Sequence, residues 1–471
     1  MSNLPTKPPA IWVLLASSFA FIIVQLDVTI VNVALPRIGA ELGAAVTDLQ
    51  WVVDAYTLGF AVFLLSAGVL GDKFGPKRVF LAGFFLFLVA SIACGMAPSS
   101  NVLNIARAIQ GIAAALLVPS SLAILNYSYA HDKKQLAKSI ALWTAAGGVS
   151  IAAGPVVGGL LLSVGGWRSI FWVNVPICAL GFVLTWISVP GIARAEHGRS
   201  FDVAGQLLAI AALTGFIGAV IELQALGLSH PLVQGGFAVA LVAGSLFLLV
   251  EKKVSSPMLP LQLFRQAAFS GAVLFGVLVN FSYYGVIFVL SFYFQKIRGY
   301  SVMEAGLAFL PLTGTFIFSN IASGKLTAHF GLRLPMIAGG LIGCGGYALL
   351  AMAIGLGPQA GFMAMLPGLL LIPAGMGLAV PAMTTSILSS VQKNMAGTAS
   401  AVLNAARQVG GAMGVAVYGA MVSLAANRQA SGGVTGTLIA SAILLLLAAG
   451  LAYWTAKDAH DSQAGKVPAR G

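Results

Sequence analysis

The stretch Gly68-Val-Leu-Gly-Asp72-Lys73-Phe74-Gly75-Pro76-Lys77-Arg78 lies between two long apolar runs and returns later as Gly324-Lys-Leu-Thr-Ala328-His329-Phe330-Gly331-Leu-Arg333. A shift of 256 residues lays Gly68 on Gly324, Leu70 on Leu326, Phe74 on Phe330, Gly75 on Gly331 and Lys77 on Arg333. The chain therefore has two related halves. A short polar loop between membrane helices, repeated in parallel, is the sequence mark of a membrane protein made from two helical bundles.

Composition agrees. Hydrophobic residues make up 59% of the 471 and charged residues 8%, where soluble domains carry roughly 25%. Hydrocarbon offers no partner to a bare amide, and the apolar runs are long and do not alternate, so the spans are helices and the class is all-α. The net charge of +12 is a matter of topology. Eighteen of the basic residues, among them Lys73, Lys77, Arg78, Lys133, Lys252 and Arg333, fall in every second loop or in the tails, and five, Arg37, Arg168, Lys296, Arg298 and Arg428, fall on the other side. The richer side is cytoplasmic and holds both termini. No loop gathers the basic and aromatic residues that a nucleic-acid partner needs.

Hydropathy with Gly, Pro and charge breaks predicts spans near 11–35, 50–70, 79–97, 101–126, 138–163, 170–190, 203–226, 233–250, 269–292, 303–325, 334–355, 360–386, 398–425 and 434–456. That makes fourteen. The echo pairs spans 1–6 with spans 9–14, giving a six-helix bundle over 1–190, two inserted helices with linkers over 191–266, a second six-helix bundle over 267–456 and a cytoplasmic tail over 457–471. In span 5, Gly147, Ser150, Gly154 and Gly158 follow the three-and-four spacing that lines one helix face with small residues, and Pro155 removes the hydrogen bond to Ile151 and should bend the helix there.

An ionisable side chain in hydrocarbon costs roughly 2.5 to 3.5 kcal/mol on insertion scales, so each one needs a reason. Asp27 and Arg107 lie about 12 and 9 Å from the outer ends of spans 1 and 4 at 1.5 Å per residue, deep enough in common to pair, and protonation of Asp27 would release that pair. Gln25, Thr29, Asn32 and Pro36 share one face of span 1 with Asp27 roughly opposite. Either the helix bends at Pro36 or its two faces serve different contacts. Arg407 lies in span 13 with no acidic residue in that span, a positive centre that disfavours dications or a side chain that snorkels to the cytoplasmic face. Asp54, Glu222 and Glu304 read as interfacial. Cys94, Cys178 and Cys344 sit singly in apolar spans as small core residues. No phosphate loop, nucleophile elbow or metal-ligand spacing is present, so no enzyme activity, metal or cofactor is expected, and uphill work must come from ion gradients.

These residues resemble a known family. Leu26-Asp27-Val-Thr29-Ile-Val-Asn32-Val-Ala-Leu-Pro36 is similar to the span 1 signature of the fourteen-span drug:proton antiporters of the major facilitator superfamily, the group of quaternary-ammonium, lincomycin and methylenomycin resistance exporters. Gly68 to Arg78 resembles their motif A, Arg107-Ala-Ile-Gln110-Gly111 their motif B, and Gly154-Pro155 with Gly158-Gly159 their antiporter motif C. Trp167-Arg168, Phe171 and Asn174-Val-Pro176 resemble the start of their span 6. The resemblance runs almost end to end. It implies a major facilitator fold whose bundles rock about a midplane cavity in the bacterial inner membrane. It also implies proton and drug coupling at Asp27 and Arg107, and a cytoplasmic charge clasp of Asp72 and Arg78 beside Gly68, Gly75 and Lys77. The second-half loop has Ala328 where the first has Asp72, and span 13 has Arg407 where dication exporters carry carboxylates. The expected substrates are thus neutral or monocationic lipophilic drugs, exchanged for protons by a protein that works as a monomer. The rival expectation is a specialist carrier of one endogenous metabolite on the same fold.

Overall fold

A computed structural model describes residues 10–129, 132–191, 202–254, 257–357, 361–391, 395–425 and 430–456. The expected tail over 457–471 lies outside them. Among the described residues every regular element is helical. The first half runs α1 Ala10–Leu42, α2 Val46–Phe74, α3 Pro76–Gly95, α4 Ser100–Ser128, α5 Lys133–Gly165, α6 Ser169–Trp172 and α7 Asn174–Ser188. Then come α8 Val203–Leu226 and α9 Pro231–Lys253. The second half runs α10 Ala267–Phe292, continued by a π-helical turn, then α11 Val302–Ala308, α12 Leu310–Phe330, α13 Arg333–Gly355, α14 Phe362–Ser389, α15 Ala396–Ala425 and α16 Ala430–Thr455.

Eleven helices among the described residues are long and apolar enough to cross a membrane, and the bent α5 makes twelve. The other two expected spans, α2 and α15, are helical over the expected residues but stand outside that number.

Two expected boundaries move. The loop Gly68 to Arg78 shrinks to one residue: α2 runs to Phe74, Gly75 takes φ +90° and donates its N–H to the Gly71 carbonyl at 2.9 Å, and Pro76 opens α3. A positive φ is cheap only for glycine, and proline suits the first helical position, so Gly-Pro turns the chain with no further residues. Gly331 repeats the device with φ +79° and its N–H on Thr327 O at 3.1 Å. Span 1 runs past Pro36 to Leu42, because the proline gives up one hydrogen bond while the next turn gains an Arg37–Glu41 pair at 2.6 Å, and Gly43 at φ +61° ends the helix.

The chain forms two compact units, residues 1–210 with 253–258, and 211–252 with 259–471. In the first, α4 packs on α2 and α3, α1 packs on α4, α5 and α7, and α3 packs on α7. In the second, α14 packs on α12 and α13, α10 packs on α14, α15 and α16, and α13 packs on α16. Shifted by the sequence repeat, these are the same six pairings. Within the first unit, the foot of α8 is fixed to α2 by Gln206, which meets the Ser66 hydroxyl and donates to Val62 O at 3.2 Å.

Candidate functional site: a buried carboxylate network

Asp27 is fully buried on α1. One carboxylate oxygen takes the Arg107 guanidinium from α4, and the other accepts from Gln110 Nε2 and from Asn174 Nδ2, both at 3.0 Å. Arg107 and Gln110 are three residues apart, so one face of α4 presents both. Asn174 reaches in as the first residue of α7, placed there by the break after α6.

The cation is held as firmly as the anion. Arg107 is 1% exposed, donates Nε to Val52 O of α2 at 2.9 Å and Nη1 to Gln110 Oε1 at 2.7 Å, and lies 4.3 Å over the Tyr56 ring. Gln110 also donates to Ser91 Oγ of α3 at 2.9 Å. Five elements thus meet on one ion pair. Burying two charges is costly and is repaid when further donors and acceptors meet them; here both Asp27 oxygens are bonded, and Asn174 Oδ1 alone of the amide oxygens lacks a partner among the described residues. Protonation of Asp27 would cancel the attraction, yet Arg107 would keep the Val52 and Gln110 oxygens, so the pair can open without orphaning its cation.

The open question about α1 is answered: its two faces make different contacts. Asp27 faces α4 and α7, while Thr29 lies against α5, where a Cβ on Gly154 would land on its hydroxyl. Thr29 and Asn32 hydrogen-bond to carbonyls of their own helix, Gln25 O or Leu26 O at 3.2 or 3.1 Å and Val28 O at 2.8 Å, and Gln25 is half-buried. None of the three joins the carboxylate. Along the same seam Phe21 stacks on Trp143 at 3.9 Å over Gly147, and Gly158 would meet Ile30 Cγ1 at 3.0 Å. Pro155 and Gly159 are buried, and α5 bends by 46° between Leu142–Ile151 and Ala153–Gly165. The bend falls where Pro155 withdraws its hydrogen bond from Ile151.

At the motif A turn, Lys77 Nζ donates to Trp186 O at 3.0 Å and Val189 O at 2.5 Å, closing the end of α7. Arg78 is exposed, and the Asp72 side chain lies outside the described residues, as does that of Ala328. A Cβ at Gly68 would meet nothing within 4 Å. Arg407 belongs to the second unit, on α15.

Asp54 is a correction. The expected interfacial carboxylate is fully buried, and both its oxygens lack a hydrogen-bond partner among the described residues. The reason is where α2 begins: Val46, not Gln50, so Asp54 is eight residues, about 12 Å, inside the helix. Glu304 does stay exposed, capping α11 through Ser301 at 2.8 and 3.3 Å. Gln110 and Asn174 were also missed as site members. Their signal was present, since both are polar residues inside or at the mouth of apolar runs.

The Major Facilitator Superfamily model matches residues 17–415. The chain is 36% identical over 439 residues to a methylenomycin A resistance protein of Streptomyces coelicolor, covering 93% of this chain and 90% of that one. It is 35% identical to the tetracenomycin C resistance and export protein of Streptomyces glaucescens, covering 87% and 75%. Among solved structures, a POT family transporter in complex with 5-aminolevulinic acid matches with TM-score 0.71 at 13% identity, covering 94% and 97%. A bacterial homologue of the lysosomal transporter Spinster matches with TM-score 0.67 at 18% identity, covering 96% and 97%.

Proposed function

Because this chain belongs to the major facilitator superfamily, we propose that it is a proton-coupled exporter of lipophilic drugs, working by alternating access in the bacterial inner membrane with both termini in the cytoplasm. Its relatives named for antibiotic resistance and export support the drug class. The six shared helix pairings support reading 1–190 and 267–456 as the two moving bundles and 191–266 as an inserted pair.

The observation that carries the coupling is the buried Asp27–Arg107 pair with Gln110 and Asn174 filling its remaining sites. In this conformation the Asp27 side chain is buried and both its oxygens are bonded, which suits the locked state of a switch. A proton reaching Asp27 removes the charge that holds α1 to α4 and α7. The α1–α5 seam, lined by Gly147, Gly154 and Gly158, lets α1 shift against the bent α5. Drug binding and proton binding are then alternatives at one network, which is what exchange requires. Each proton descending 100 mV supplies about 2.3 kcal/mol.

The test is transport in proteoliposomes, with methylenomycin A and tetracenomycin C as probes and an imposed pH gradient as the drive. Wild-type flux should follow the gradient. Asp27→Asn keeps the size and most hydrogen bonds of the side chain but cannot exchange a proton, so its gradient-driven flux should fall at least about tenfold, roughly 1.4 kcal/mol on the barrier. Flux through Asp27→Asn that tracks the gradient as the wild type does would refute proton coupling at this site.

A further inference from the structure

Arg407 in the second unit is a half-buried cation that joins no ion pair among the described residues. Its stem lies over α10, where a Cβ on Gly276 would stand 3.4 Å from Arg407 Cγ. Its Nε is buried with no hydrogen-bond partner among the described residues, and it takes part in none of the ion pairs found there. Sequence composition explains why. Between residues 267 and 456 the acidic residues reduce to Glu304, which is exposed and bonded to Ser301. The helices α10–α16 have no buried carboxylate to give.

The surroundings are those of a ligand site. Gly276, Asn280 and Tyr284 recur every four residues and so lie on one face of α10. Arg407 and Gly411, also four apart, lie on the facing side of α15, with the Tyr284 ring against Gly411, where a Cβ would be 2.9 Å from Tyr284 Cδ2. Asn280 is buried, donating to Gly276 O at 2.7 Å. A guanidinium and a phenol on these facing helix sides are both donors to an anionic oxygen. Arg407 is also about 17 Å along α15 from Ala396 and about 27 Å from Ala425, so neither end of the helix brings it to the lipid headgroups, and the snorkelling alternative loses its support.

We propose that Arg407, with Tyr284 on the facing side of α10, binds an anionic group, a carboxylate, on the exported compound. This rests on the export reading above and sharpens it: the favoured substrate is a lipophilic monoanion in place of the neutral or monocationic compound that the sequence suggested. A guanidinium within a membrane helix needs a partner, and here the substrate is the partner. The sign also suits export against an inside-negative potential. Exchange of a monoanion for one proton moves two charges in the favourable direction, whereas exchange of a neutral compound moves one and of a monocation none.

The experiment uses three probes with one apolar body: dansylglycine, its methyl ester, and a dansyl trimethylammonium of matching length. Binding to the purified full chain is read by dansyl fluorescence in phosphatidylcholine nanodiscs, where no anionic lipid competes. The acid should bind more tightly than the ester and the cation least. Arg407→Gln should weaken the acid at least about tenfold, as expected for loss of a charge-assisted hydrogen bond, and leave the ester within about twofold, with Arg407→Lys in between. Adding anionic phosphatidylglycerol should leave the acid's affinity unchanged; competition by that lipid means Arg407 holds a headgroup and overturns the proposal. Equal acid affinity in Arg407→Gln, a cation that matches the acid, or no binding of the acid also overturns it. Should Arg407→Gln fail to fold, the wild-type ranking and Arg407→Lys decide. Gradient-driven flux of the ester in proteoliposomes tests the export reading independently. Flux without acid preference sinks this inference alone, and binding with acid preference but no driven flux of any probe sinks the export reading alone.

Discussion

Where α5 meets α1 in the first unit, Gly147 and Gly154 face side chains, the ring of Phe21 and the hydroxyl of Thr29; where α15 meets α10 in the second, Gly410 and Gly414 face the backbone, the carbonyl oxygens of Val277 and Phe281. Gly285 completes that second seam from the other side, since a Cβ there would stand 2.7 Å from Gly414 O. Side chains can turn aside, whereas backbone cannot. The helix on the side-chain seam is bent by 46° and its unit carries the Asp27–Arg107 network. The helices α10–α16 around the backbone seam carry Arg407, which joins no ion pair among the described residues, and a single acid, the exposed Glu304. On the function proposed above, one set of helix pairings serves two uses, a deformable half that answers a proton and a stiffer half that selects a charge.

The largest effect belongs to the network. Arg107→Met removes the cation and leaves Asp27 buried on two amide donors. Breaking a buried pair on one side costs about 3–5 kcal/mol, so the purified variant should lose most of its cooperative melting transition in detergent and all gradient-driven flux. The double variant Arg107→Met with Asp27→Leu removes both charges and should regain much of the melting temperature but none of the flux. A single variant that melts like the wild type would show that the pair is a bystander, and the proposed division between the halves would lose its first member.

Next comes the contrast between the seams. Gly414→Ala drives a Cβ into the Phe281 carbonyl, and overpacking of this kind costs about 1–3 kcal/mol with no side chain to trim in compensation. Gly154→Ala meets Thr29, so Thr29→Ala should recover part of its loss. Melting temperatures of the three variants and the pair check this. A Gly414→Ala protein as stable as Gly154→Ala would mean that both seams yield equally.

How much of this was legible before the structure turns on what each residue depends upon. The repeat, the helical spans and the kink at Pro155 follow from local chemistry, because glycine, proline and a continuous apolar run act on their own segment. The Asp27–Arg107 pairing was legible too, since two opposite charges at like depth in hydrocarbon have few other options. Gln110 and Asn174 were harder, because an amide inside a span has the choice of its own helix backbone, which Thr29 and Asn32 do take. The split between seams was out of reach, since a glycine reads the same whether it faces a ring or a carbonyl. The turn at Gly75 was read too long because charged residues in a helix's last turn look like loop when only hydropathy is weighed.

The smallest effect on stability, and the finest test of the deformable half, is Asp54→Asn. A carboxyl buried without donors is least costly to hold with its proton on, since the ionised form has nothing to replace the water it lost. Asparagine has the shape and neutrality of that protonated acid. If Asp54 is neutral here, Asp54→Asn should shift stability by no more than about 1 kcal/mol, in the range of ordinary conservative changes. Gradient-driven flux should fall partially, because a second buried carboxyl on α2, the helix whose Val52 carbonyl holds Arg107, has lost its exchangeable proton. If Asp54 is instead ionised and paired, the same change removes a buried charge from its partner and should cost several times more. Melting in detergent and proteoliposome flux, measured on one preparation, separate the two. A stable variant with full flux would leave Asp27 as the sole proton carrier of its bundle, and a destabilised one would mean that Asp54 holds a charge on which a buried partner depends.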